Sequence, residues 1–408
     1  MDPYVIVGNG VAAVNAIEAI RARGDTTPIQ IFTDQECAFY SRPSLYYIML
    51  GRIHWADAWG RPPDFYDRSG AELHCGTTVR AIDASAHTLE AADSAPLRYS
   101  RLLLATGTRG RFLPWAEQDL DGLVTLNTLA DVVALARLLA DSRGVVVVGG
   151  GLTSIELVEV CRHWGVQTTF VMRSDRFLDR QLTFDEAEMI HSRLRAGGVE
   201  ILTEEELISV EGRNGRVARA TTKSGRHIVC DIAACTIGVV SNQELAAAAG
   251  AETERGIVVD DHMRTSSPDV YAAGDAARVR RADGSAAPSE MLWYVAAGMG
   301  RTAGANVAGG DETYRPRAFL NVAEFCGLDF CGVGRIDPAQ AEVESVVIRD
   351  RDRSSVRLVM RDGVLLGACF LGDIRLADIA RGVIAQGTRL AELRADHPLR
   401  LLLEMGSP

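Results

Sequence analysis

Short apolar runs alternate with helix-like stretches over the first part of the chain. Tyr4–Val7 and Ile29–Phe32 have the composition of buried strands, and Ala12–Ala22 between them has the pattern of a helix. The same order of strand, helix and strand returns in Val145–Val148, Leu152–Trp164 and Gln167–Met172. This alternation predicts parallel sheets flanked by helices, and its recurrence predicts two α/β units of one design.

Two other regions follow different patterns. Ala71–Leu104 has short strand patterns separated by turns. After Tyr314 the chain becomes rich in strands before it ends in helices, and the predicted strands are Val343–Ile348, Val356–Met360 and Leu365–Phe370. A third region of α+β character is therefore predicted after the two α/β units.

Length and composition narrow the class of protein. A chain of 408 residues suggests about two to three domains, and 47% hydrophobic with 24% charged residues is typical of a soluble globular protein. Apolar stretches such as Leu102–Ala105 are far shorter than the roughly 18 residues that indicate a membrane span. The start at Met1 leads directly into a strand without signal-peptide features, so a cytoplasmic location is expected.

Charge and cysteine usage exclude several kinds of function. A net charge of −11 argues against nucleic acid or an anionic membrane as partner, because either would favour a basic surface. Lys223 is the only lysine, which excludes a P-loop lysine and restricts any Schiff base to that position. Two cysteine pairs have matching CxxxxC spacing, but their apolar context predicts buried thiols, and no metal site is expected; the pairs are Cys230/Cys235 and Cys326/Cys331.

A glycine-rich turn follows the first predicted strand. The turn and the start of the helix read Gly8-Asn9-Gly10-Val11-Ala12-Ala13. Gly8 allows a tight turn, Gly10 lets a pyrophosphate approach the backbone, and Ala13 permits close packing of the helix on the strand. The helix N-terminus at Val11 and Ala12 favours anions, so this turn is predicted to bind a dinucleotide.

The second α/β unit has a turn of the same design. After its first strand the chain reads Gly149-Gly150-Gly151-Leu152-Thr153-Ser154-Ile155-Glu156. Gly149 and Gly151 take the places of the two glycines of the first turn, and Leu152 and Thr153 open the helix. A second dinucleotide is therefore predicted in this unit.

The residues after the second strand of each unit bear on recognition of the ribose. In the first unit Asp34 and Glu36 are both candidates for the acid that binds a ribose hydroxyl. In the second unit this acid is missing, and Arg173 and Arg176 follow the strand instead. A guanidinium pairs with phosphate oxygens, which favours NADPH with its 2′-phosphate over NADH. The alternative is a solvated arginine at a loop tip.

Three further strings resemble the pyridine nucleotide-disulfide oxidoreductase superfamily. Thr265–Ala276 looks like its second FAD signature, in which the residue matching Asp275 binds the flavin ribitol. Ala105-Thr106-Gly107 is similar to the ATG turn that closes the first segment of the FAD domain. Cys235–Asn242 resembles the return from the NAD(P) domain, and the resemblance places Gly238 beside the nicotinamide.

The resemblance implies a fold and a set of domain limits. The fold is α/β, with two Rossmann-like dinucleotide-binding domains of the three-layer ββα type. The NAD(P)H-binding domain, residues 111–239, is inserted in the FAD-binding domain, residues 1–110 and 240–312. Residues 313–408 are expected to form a C-terminal α+β interface domain.

Within the superfamily, the chain is most similar to the ferredoxin, rubredoxin and nitrite reductase-like branch. Phe39–Leu45 resembles the YxRPxL segment of that branch, Glu290–Gly300 its ExxW helix beside the flavin, and Val364–Asp373 a strand and turn of its C-terminal domain. The resemblance implies additional FAD contacts at Arg42, Pro43, Val79, Arg111, Gly274 and Trp293.

Two departures from the branch bear on its chemistry. Disulfide-using members carry a cysteine where this chain has Pro43-Ser44-Leu45, and Cys37 lies upstream of that place, so no redox-active disulfide is expected. The lysine that follows the RP pair in ferredoxin reductases falls on Tyr47. Glu156 is therefore expected to lack its usual cationic partner.

The resemblance also implies a reaction. Hydride is expected to pass from NAD(P)H to N5 of FAD, and electrons then pass to an acceptor, first of all a ferredoxin- or rubredoxin-type protein. Glu156, Tyr47 and Trp293 are the candidate catalytic residues, although Trp293 is equally well explained as a core tryptophan. Two alternatives stay open: a reductase or oxidase acting directly on a small molecule or O2, and a redox-responsive binding module. A homodimer is also left open.

Overall fold

The computed structural model describes residues 1–92, 94–113, 119–281, 283–287, 290–340, 344–350, 353–394 and 396–401. Up to residue 104 the elements are β1 (Tyr4–Val7), α1 (Val11–Ala22), β2 (Ile29–Phe32), α2 (Ser44–Met49), α3 (Phe65–Arg68), β3 (Ala71–His74), β4 (Val79–Asp83), β5 (Thr88–Ala91), β6 (Leu97–Arg98) and β7 (Arg101–Leu104).

The middle of the chain contains β8 (Thr108–Gly110), β9 (Leu123–Val124), α4 (Leu129–Asp141), β10 (Gly144–Val148), α5 (Leu152–His163), β11 (Gln167–Val171), α6 (Phe184–Ala196), β12 (Glu200–Leu202), β13 (Leu207–Arg213), β14 (Arg216–Thr222), β15 (His227–Val229), β16 (Ile232–Cys235) and β17 (Val239–Ser241). The remainder contains α7 (Glu244–Ala248), β18 (Ile257–Val259), β19 (Val270–Ala272), β20 (Ala277–Val279), α8 (Trp293–Val307), β21 (Leu320–Phe325), β22 (Leu328–Gly334), β23 (Glu344–Asp350), β24 (Ser354–Arg361), β25 (Val364–Leu371) and α9 (Ala377–Gln386). Short 3-10 helices lie at Trp55–Ala58, Gly274–Ala276 and Leu390–Glu392.

The chain divides into two compact units. The first contains residues 1–109 and 239–316, and the second contains residues 110–238 and 317–408. Each unit is built from two separate stretches of chain. The domain limits expected from the sequence, with a distinct C-terminal domain from residue 313, stay a prediction.

The first unit is built on a parallel sheet with the strand order β3-β2-β1-β7-β19. All four residues of the central strand β1 are buried, because elements cover both faces of the sheet. The predicted limits of β1 and β2 are confirmed. The antiparallel strands β4, β5 and β6 account for most of the short strand patterns predicted between Ala71 and Leu104.

Helices α1 and α8 of this unit meet backbone to backbone. A Cβ atom on Gly300 of α8 would lie 2.2 Å from the carbonyl oxygen of Ala12, and one on Gly304 would lie 2.2 Å from that of Ala16. A non-bonded carbon and oxygen cannot approach so closely, so both positions require glycine. This contact gives Gly300, which the sequence placed in a helix beside the flavin, a packing role as well.

The second unit repeats the design with the parallel strand order β12-β11-β10-β16-β9. Its predicted elements are confirmed with shifts of one residue at β10, α5 and β11. An antiparallel sheet β13-β14-β15 completes this part of the unit. Two sheets with five parallel strands each confirm the α/β fold class.

The C-terminal part of the second unit is an antiparallel sheet with the order β21-β22-β25-β24-β23, packed against α9. Three of its strands were predicted, although Val343, the first residue of one prediction, lies outside the described residues. The hairpin of β21 and β22 had not been delimited. Its two central turn residues, Cys326 and Gly327, have positive φ angles of 50° and 73°, and a Cys-Gly pair is a weaker hairpin signal than Asn-Gly.

A buried ion pair joins this C-terminal sheet to α6. Arg357 of β24 and Glu186 of α6 have side chains that are each 1% exposed, with 3.0 Å between Nε and Oε1. Arg357 also donates to the carbonyl oxygens of Gln181 at 2.6 Å and Ile336 at 3.0 Å. Glu186 accepts the backbone N–H of Thr183, which caps α6. Removing one partner of a buried, hydrogen-bonded ion pair costs several kcal/mol, so loss of either Arg357 or Glu186 should destabilise the second unit.

The sequence led us to expect no membrane-spanning helix and buried thiols at two pairs of cysteines. In the part of the chain that the structure describes, no helix is long and apolar enough to cross a membrane. Cys230, Cys235 and Cys331 are buried free thiols, as predicted, whereas Cys326 is partly exposed. Burial raises the pKa of the Cys230 thiol to about 12, so it stays protonated.

The contact between α1 and α8 predicts a large effect from a single methyl group. Gly300→Ala should lower the free energy of unfolding by about 1–3 kcal/mol, because the added Cβ overlaps the Ala12 backbone. Gly382→Ala in α9 is the matched control, since a Cβ there meets nothing within 4 Å and alanine favours the helix. Urea unfolding measures both; equal stabilities for the two variants would contradict the contact.

Candidate functional site

The first glycine turn connects β1 to α1. Gly8 has a φ of 103°, and a Cβ there would lie 2.2 Å from the carbonyl oxygen of Ala105 at the end of β7. Gly10, by contrast, has nothing within 4 Å of a built Cβ. The first glycine therefore lets two strand ends meet, and the second leaves open space at the N-terminus of α1. An anionic group can approach the free N–H groups of the helix through this space.

A polar network supports this turn. The Tyr66 hydroxyl donates to Oδ1 of Asn9 at 2.9 Å and accepts the backbone N–H of Phe39 at 3.1 Å. Burial raises the pKa of Tyr66, so its hydroxyl keeps its proton and remains a donor. Nδ2 of Asn9 is buried and has no hydrogen-bond partner among the described residues. An unpaired donor beside an anion-binding turn fits a pyrophosphate oxygen.

Asn9 and Tyr66 were not among the site residues predicted from the sequence. Asn9 lies inside the glycine motif, so its position was a usable signal. Tyr66 lies in α3, 57 residues away in sequence, and nothing in the local pattern connects it to the turn.

The turn at Ala105-Thr106-Gly107 is held by hydrogen bonds to Asn242, which directly follows β17. Thr106 Oγ1 donates to the carbonyl oxygen of Asn242 at 2.6 Å, and Asn242 Nδ2 donates back to that of Thr106 at 2.9 Å. The backbone N–H of Asn242 binds the Gly107 carbonyl at 3.0 Å. Asn242 thus fixes the ATG turn, a role that the sequence reasoning missed although it quoted the residue.

The segment that holds this turn also contacts Asp275. Ser241 Oγ donates to the carbonyl oxygen of Asp275 at 3.0 Å. Burial raises the pKa of Asp275, and the Arg42 guanidinium opposes that effect. No described residue donates a hydrogen bond to the Asp275 carboxylate. A partly buried carboxylate with unused acceptor capacity fits the hydroxyl groups of a ribitol chain.

The other predicted FAD residues occupy different parts of the structure. Val79 is buried at the start of β4, Arg42 and Pro43 directly precede α2, and Tyr47 lies on α2. Gly274 has a φ of 79°, and its built Cβ would lie 3.0 Å from that of Ala12.

The two ribose candidates lie beyond β2. Asp34 and Glu36 are both exposed. The Glu36 carboxylate lies against Gly76, whose built Cβ would be 2.8 Å from Oε2. The choice between the two acids stays a prediction.

Trp293 is the first residue of α8, and its side chain is 46% exposed. The alternative of an ordinary core tryptophan is therefore wrong. The exposed ring is available to contact a ligand or a partner. A flavin contact at Trp293 stays a prediction.

The second glycine turn connects β10 to α5 and repeats the geometry of the first. A Cβ on Gly149 would lie 2.3 Å from the carbonyl oxygen of Thr236, whereas one on Gly151 meets nothing within 4 Å. Ser154, at the third motif position, accepts the Gly151 N–H at 3.3 Å and donates to the Thr236 carbonyl at 3.2 Å. No role of its own was predicted for Ser154 from the sequence, and in the structure its hydroxyl ties the turn to the residue that follows β16.

The nicotinamide candidates lie around the same turn. Leu152 and Thr153 open α5, and Glu156 follows one turn later. Gly238 has a φ of 102°, and its carbonyl oxygen accepts the backbone N–H of Arg111 at 3.1 Å. Arg111, predicted to contact FAD, therefore lies in the second unit beside Gly238.

Glu156, on α5, has a raised pKa. Burial raises the pKa of Glu156 to about 7, and the neighbouring Glu159 acts in the same direction. Glu156 therefore exchanges its proton near neutral pH. Perturbed carboxyl groups of this kind are concentrated at functional sites.

The two arginines after β11 differ in their surroundings. Arg176 donates to the carbonyl oxygens of Leu182 at 2.8 Å and Asp179 at 3.0 Å, and it pairs with Asp175 at 2.7 Å. Its guanidinium holds the loop together. Arg173 is exposed and has no hydrogen bond or ion pair with any described residue. Arg173 is the arginine that is available to a phosphate.

Comparisons with known proteins place these features in a family. Residues 2–300 match the family model described as pyridine nucleotide-disulphide oxidoreductase. The rubredoxin-NAD(+) reductase of Ectopseudomonas oleovorans is 33% identical over 277 residues, which are 68% of this chain and 72% of that protein. The NADH-dependent phenylglyoxylate dehydrogenase subunit epsilon of Aromatoleum evansii is 28% identical over 395 residues, covering 96% of this chain and 93% of that subunit.

Solved structures extend the match to the whole fold. The reductase in the covalent putidaredoxin reductase–putidaredoxin complex superposes with a TM-score of 0.87 at 25% identity, covering 99% of both chains. The similarity therefore includes the C-terminal sheet that follows residue 300. It also confirms the fold implied by the sequence.

The family uses FAD and NAD(P)H, and each of the two glycine turns leaves space for a dinucleotide phosphate. Asp275→Ala should weaken the retention of FAD, because a charge-assisted hydrogen bond contributes about 1.5–3 kcal/mol. Flavin released on dilution and ultrafiltration, measured by absorbance, tests this. Asp283→Ala removes an exposed turn carboxylate as the control. If the Asp275→Ala protein holds flavin as firmly as this control does, the assignment fails.

Proposed function

The chain belongs to the pyridine nucleotide-disulphide oxidoreductase family, and from that membership we propose that it passes electrons from NAD(P)H through FAD to a small iron–sulfur or rubredoxin-type protein. FAD supplies the chemistry that links a two-electron hydride donor to a one-electron acceptor. The observation that carries the proposal is the pair of glycine turns, one in each unit, with the same open approach to a helix N-terminus.

Each unit contributes a distinct set of contacts. In the first unit the α1 N-terminus and Asn9 face the pyrophosphate, and Asp275 holds the ribitol. In the second unit the α5 N-terminus binds the other dinucleotide, and Glu156 with Gly238 borders the nicotinamide. Tyr47 and Trp293 are proposed to contact the flavin. Positioning of the reacting atoms is the main contribution that the protein can make to such a transfer.

The choice of acceptor rests on relatives whose names state it. One relative is named a rubredoxin-NAD(+) reductase, and one solved structure is a putidaredoxin reductase in covalent complex with putidaredoxin. A second candidate is a subunit that exchanges electrons with NAD(H) inside a larger dehydrogenase. It is favoured by the phenylglyoxylate dehydrogenase subunit, whose similarity covers 96% of this chain and so reaches the C-terminal region.

Rapid-mixing spectroscopy distinguishes these functions. The flavin is reduced anaerobically with NADH or NADPH and is then mixed with a ferredoxin, with a rubredoxin or with air-saturated buffer. Reoxidation by one of the proteins that is much faster than by air supports the proposal. Fastest reoxidation by O2 would indicate an oxidase. Reduction without reoxidation by any of these acceptors would favour a subunit that needs its complex.

The number of electrons that the protein takes up per FAD depends on whether a cysteine lies at the segment proposed to face the flavin. The segment at Pro43-Ser44-Leu45 carries none, and burial raises the pKa of the Cys37 and Cys75 thiols, which disfavours the reactive thiolate. Anaerobic dithionite titration should therefore end at two electrons per FAD. A requirement for four electrons, with a long-wavelength charge-transfer band midway, would show that a disulfide takes part.

Nucleotide preference is a further prediction. Arg173 is available to the 2′-phosphate of NADPH, although the relatives named above are described as NAD(+)- or NADH-dependent. One partly shielded charge-assisted pair contributes about 1–2 kcal/mol, or roughly 5- to 30-fold in kcat/KM. We expect the parent to prefer NADPH and Arg173→Glu to reverse or abolish that preference.

The measurement is kcat/KM for flavin reduction with each nucleotide at fixed ionic strength, because salt screens the contact. Arg213→Glu makes the same charge change at the end of β13 and controls for net charge. A parent that prefers NADH, or an Arg173→Glu ratio equal to that of Arg213→Glu, would refute the assignment.

A further inference from the structure

Helix α5 carries two acidic residues on one face. Glu156 and Glu159 are three positions apart, a spacing at which side chains are neighbours on a helix surface. Glu159 is only 3% exposed. The glycine motif explains why Glu156 lies beside a nucleotide, but it gives no reason to bury a second acid one turn later. Burial of a carboxylate is costly, so Glu159 requires its own explanation.

The C-terminal sheet supplies a partner for Glu159. The backbone N–H of Cys326 donates to Oε1 of Glu159 at 2.9 Å. Cys326 is the first central residue of the two-residue turn between β21 and β22, in which Phe325 pairs with Leu328. The positive φ angles of Cys326 and Gly327 belong to a tight turn of fixed geometry. This turn therefore fixes the place of the Glu159 carboxylate.

Charged groups around the pair lie on three elements. Glu159 and Arg162 lie on α5, Arg193 lies on α6, and Cys326 lies on the hairpin turn. Burial raises the pKa of the Cys326 thiol to about 12, Glu159 adds to the rise, and the two arginines oppose it. The thiol is thus a neutral neighbour of Glu159 at physiological pH. On Glu156 the two influences are burial and the charge of Glu159, and both raise its pKa, to about 7.

We infer that Glu159 is a positioning residue of the nicotinamide site. Its carboxylate, fixed by the Cys326 backbone, opposes a second negative charge on Glu156 and so retains the proton there around neutral pH. The C-terminal sheet in this way sets the protonation state of a residue in the nucleotide pocket. The inference rests on the proposed function for the claim that Glu156 borders the nicotinamide, whereas the proton equilibrium itself does not depend on that claim.

The proton on Glu156 has a consequence for nucleotide binding. An oxidised nicotinamide ring is positively charged and a reduced one is neutral. Ionised Glu156 attracts the oxidised form more strongly than neutral Glu156 does. Affinity for the oxidised nucleotide should therefore rise as the pH increases through about 7, while affinity for the reduced form changes little.

Infrared difference spectra of the holoprotein without nucleotide test the inference directly. The stretch of a protonated carboxyl group should disappear with a midpoint near pH 7 in the parent. Burial also raises the pKa values of Asp275 and Glu290, so Glu156→Gln is needed to assign the band, which it should remove. In Glu159→Gln the midpoint should fall by about one unit, a tenfold loss of proton affinity, because a like charge has been removed.

The variants are chosen to separate charge from structure. Glu159→Gln keeps an oxygen that can accept the Cys326 N–H, and Glu159→Asp keeps the charge, so the midpoint of Glu159→Asp should lie nearer the parental value. Glu211→Gln removes an exposed carboxylate of β13 and should leave the midpoint unchanged. Calorimetric titration with the oxidised nucleotide over the same pH range gives the second readout.

Each outcome bears on one claim. An unchanged midpoint in Glu159→Gln, or a band that persists in Glu156→Gln, overturns the inference. If the infrared midpoint shifts as expected but the oxidised nucleotide binds with no pH dependence, the proton coupling stands and the nicotinamide role of Glu156 fails. If Glu159→Gln does not fold, the comparison of Glu159→Asp with Glu159→Asn decides, because these two variants have side chains of the same size and differ only in the charge. A midpoint in Glu159→Asn that lies below that of Glu159→Asp supports the inference, and equal midpoints overturn it.

Discussion

The architecture depends on places where backbone meets backbone with no side chain between. At Gly8 and Gly149 the end of one strand touches the carbonyl group at the end of its neighbour, and a Cβ atom would come within 2.3 Å of it in either case. At Gly300 a helix touches a helix in the same way. The contacts at Gly8 and Gly149 bring the N-termini of α1 and α5 close to the strand ends, where open space at Gly10 and Gly151 allows an anionic group to approach the free N–H groups of each helix.

Polar groups whose burial is costly lie around each turn. The Asn9 amide and the Asp275 carboxylate lie near the first turn, and Glu156 follows the second. Groups of this kind destabilise a folded chain unless something pairs with them. The large apolar cores of the two units offset that cost, and a bound dinucleotide removes part of it. Binding of cofactor should therefore stabilise the fold, as any ligand that prefers the native state does.

Two polar contacts, one buried and one partly buried, connect the C-terminal sheet to the nucleotide-binding half of the second unit. Arg357 pairs with Glu186, which also caps α6, and the Cys326 backbone binds Glu159 on α5. The second of these contacts joins the hairpin of β21 and β22 to α5, the helix that carries Glu156. A movement or a bound partner at the C-terminal sheet thus has a direct physical connection to the nucleotide pocket. The connection is electrostatic and local, since it runs through two side chains on one helix face.

The sequence by itself determined the elements whose signal is local. The limits of β1 and β2, the two glycine turns and the α/β class followed from apolar runs and glycine spacing. The domain limits implied by the family resemblance stay a prediction. Tertiary structure alone decided which residues from distant segments meet: Tyr66 with Asn9, Asn242 with Thr106, Cys326 with Glu159, and Arg357 with Glu186. It also separated Arg176, held by its own loop, from Arg173, and exposed the ring of Trp293. The physical reason is that hydrophobic period and glycine conformation act within a few residues, whereas hydrogen bonding and burial depend on neighbours that only the folded chain brings together.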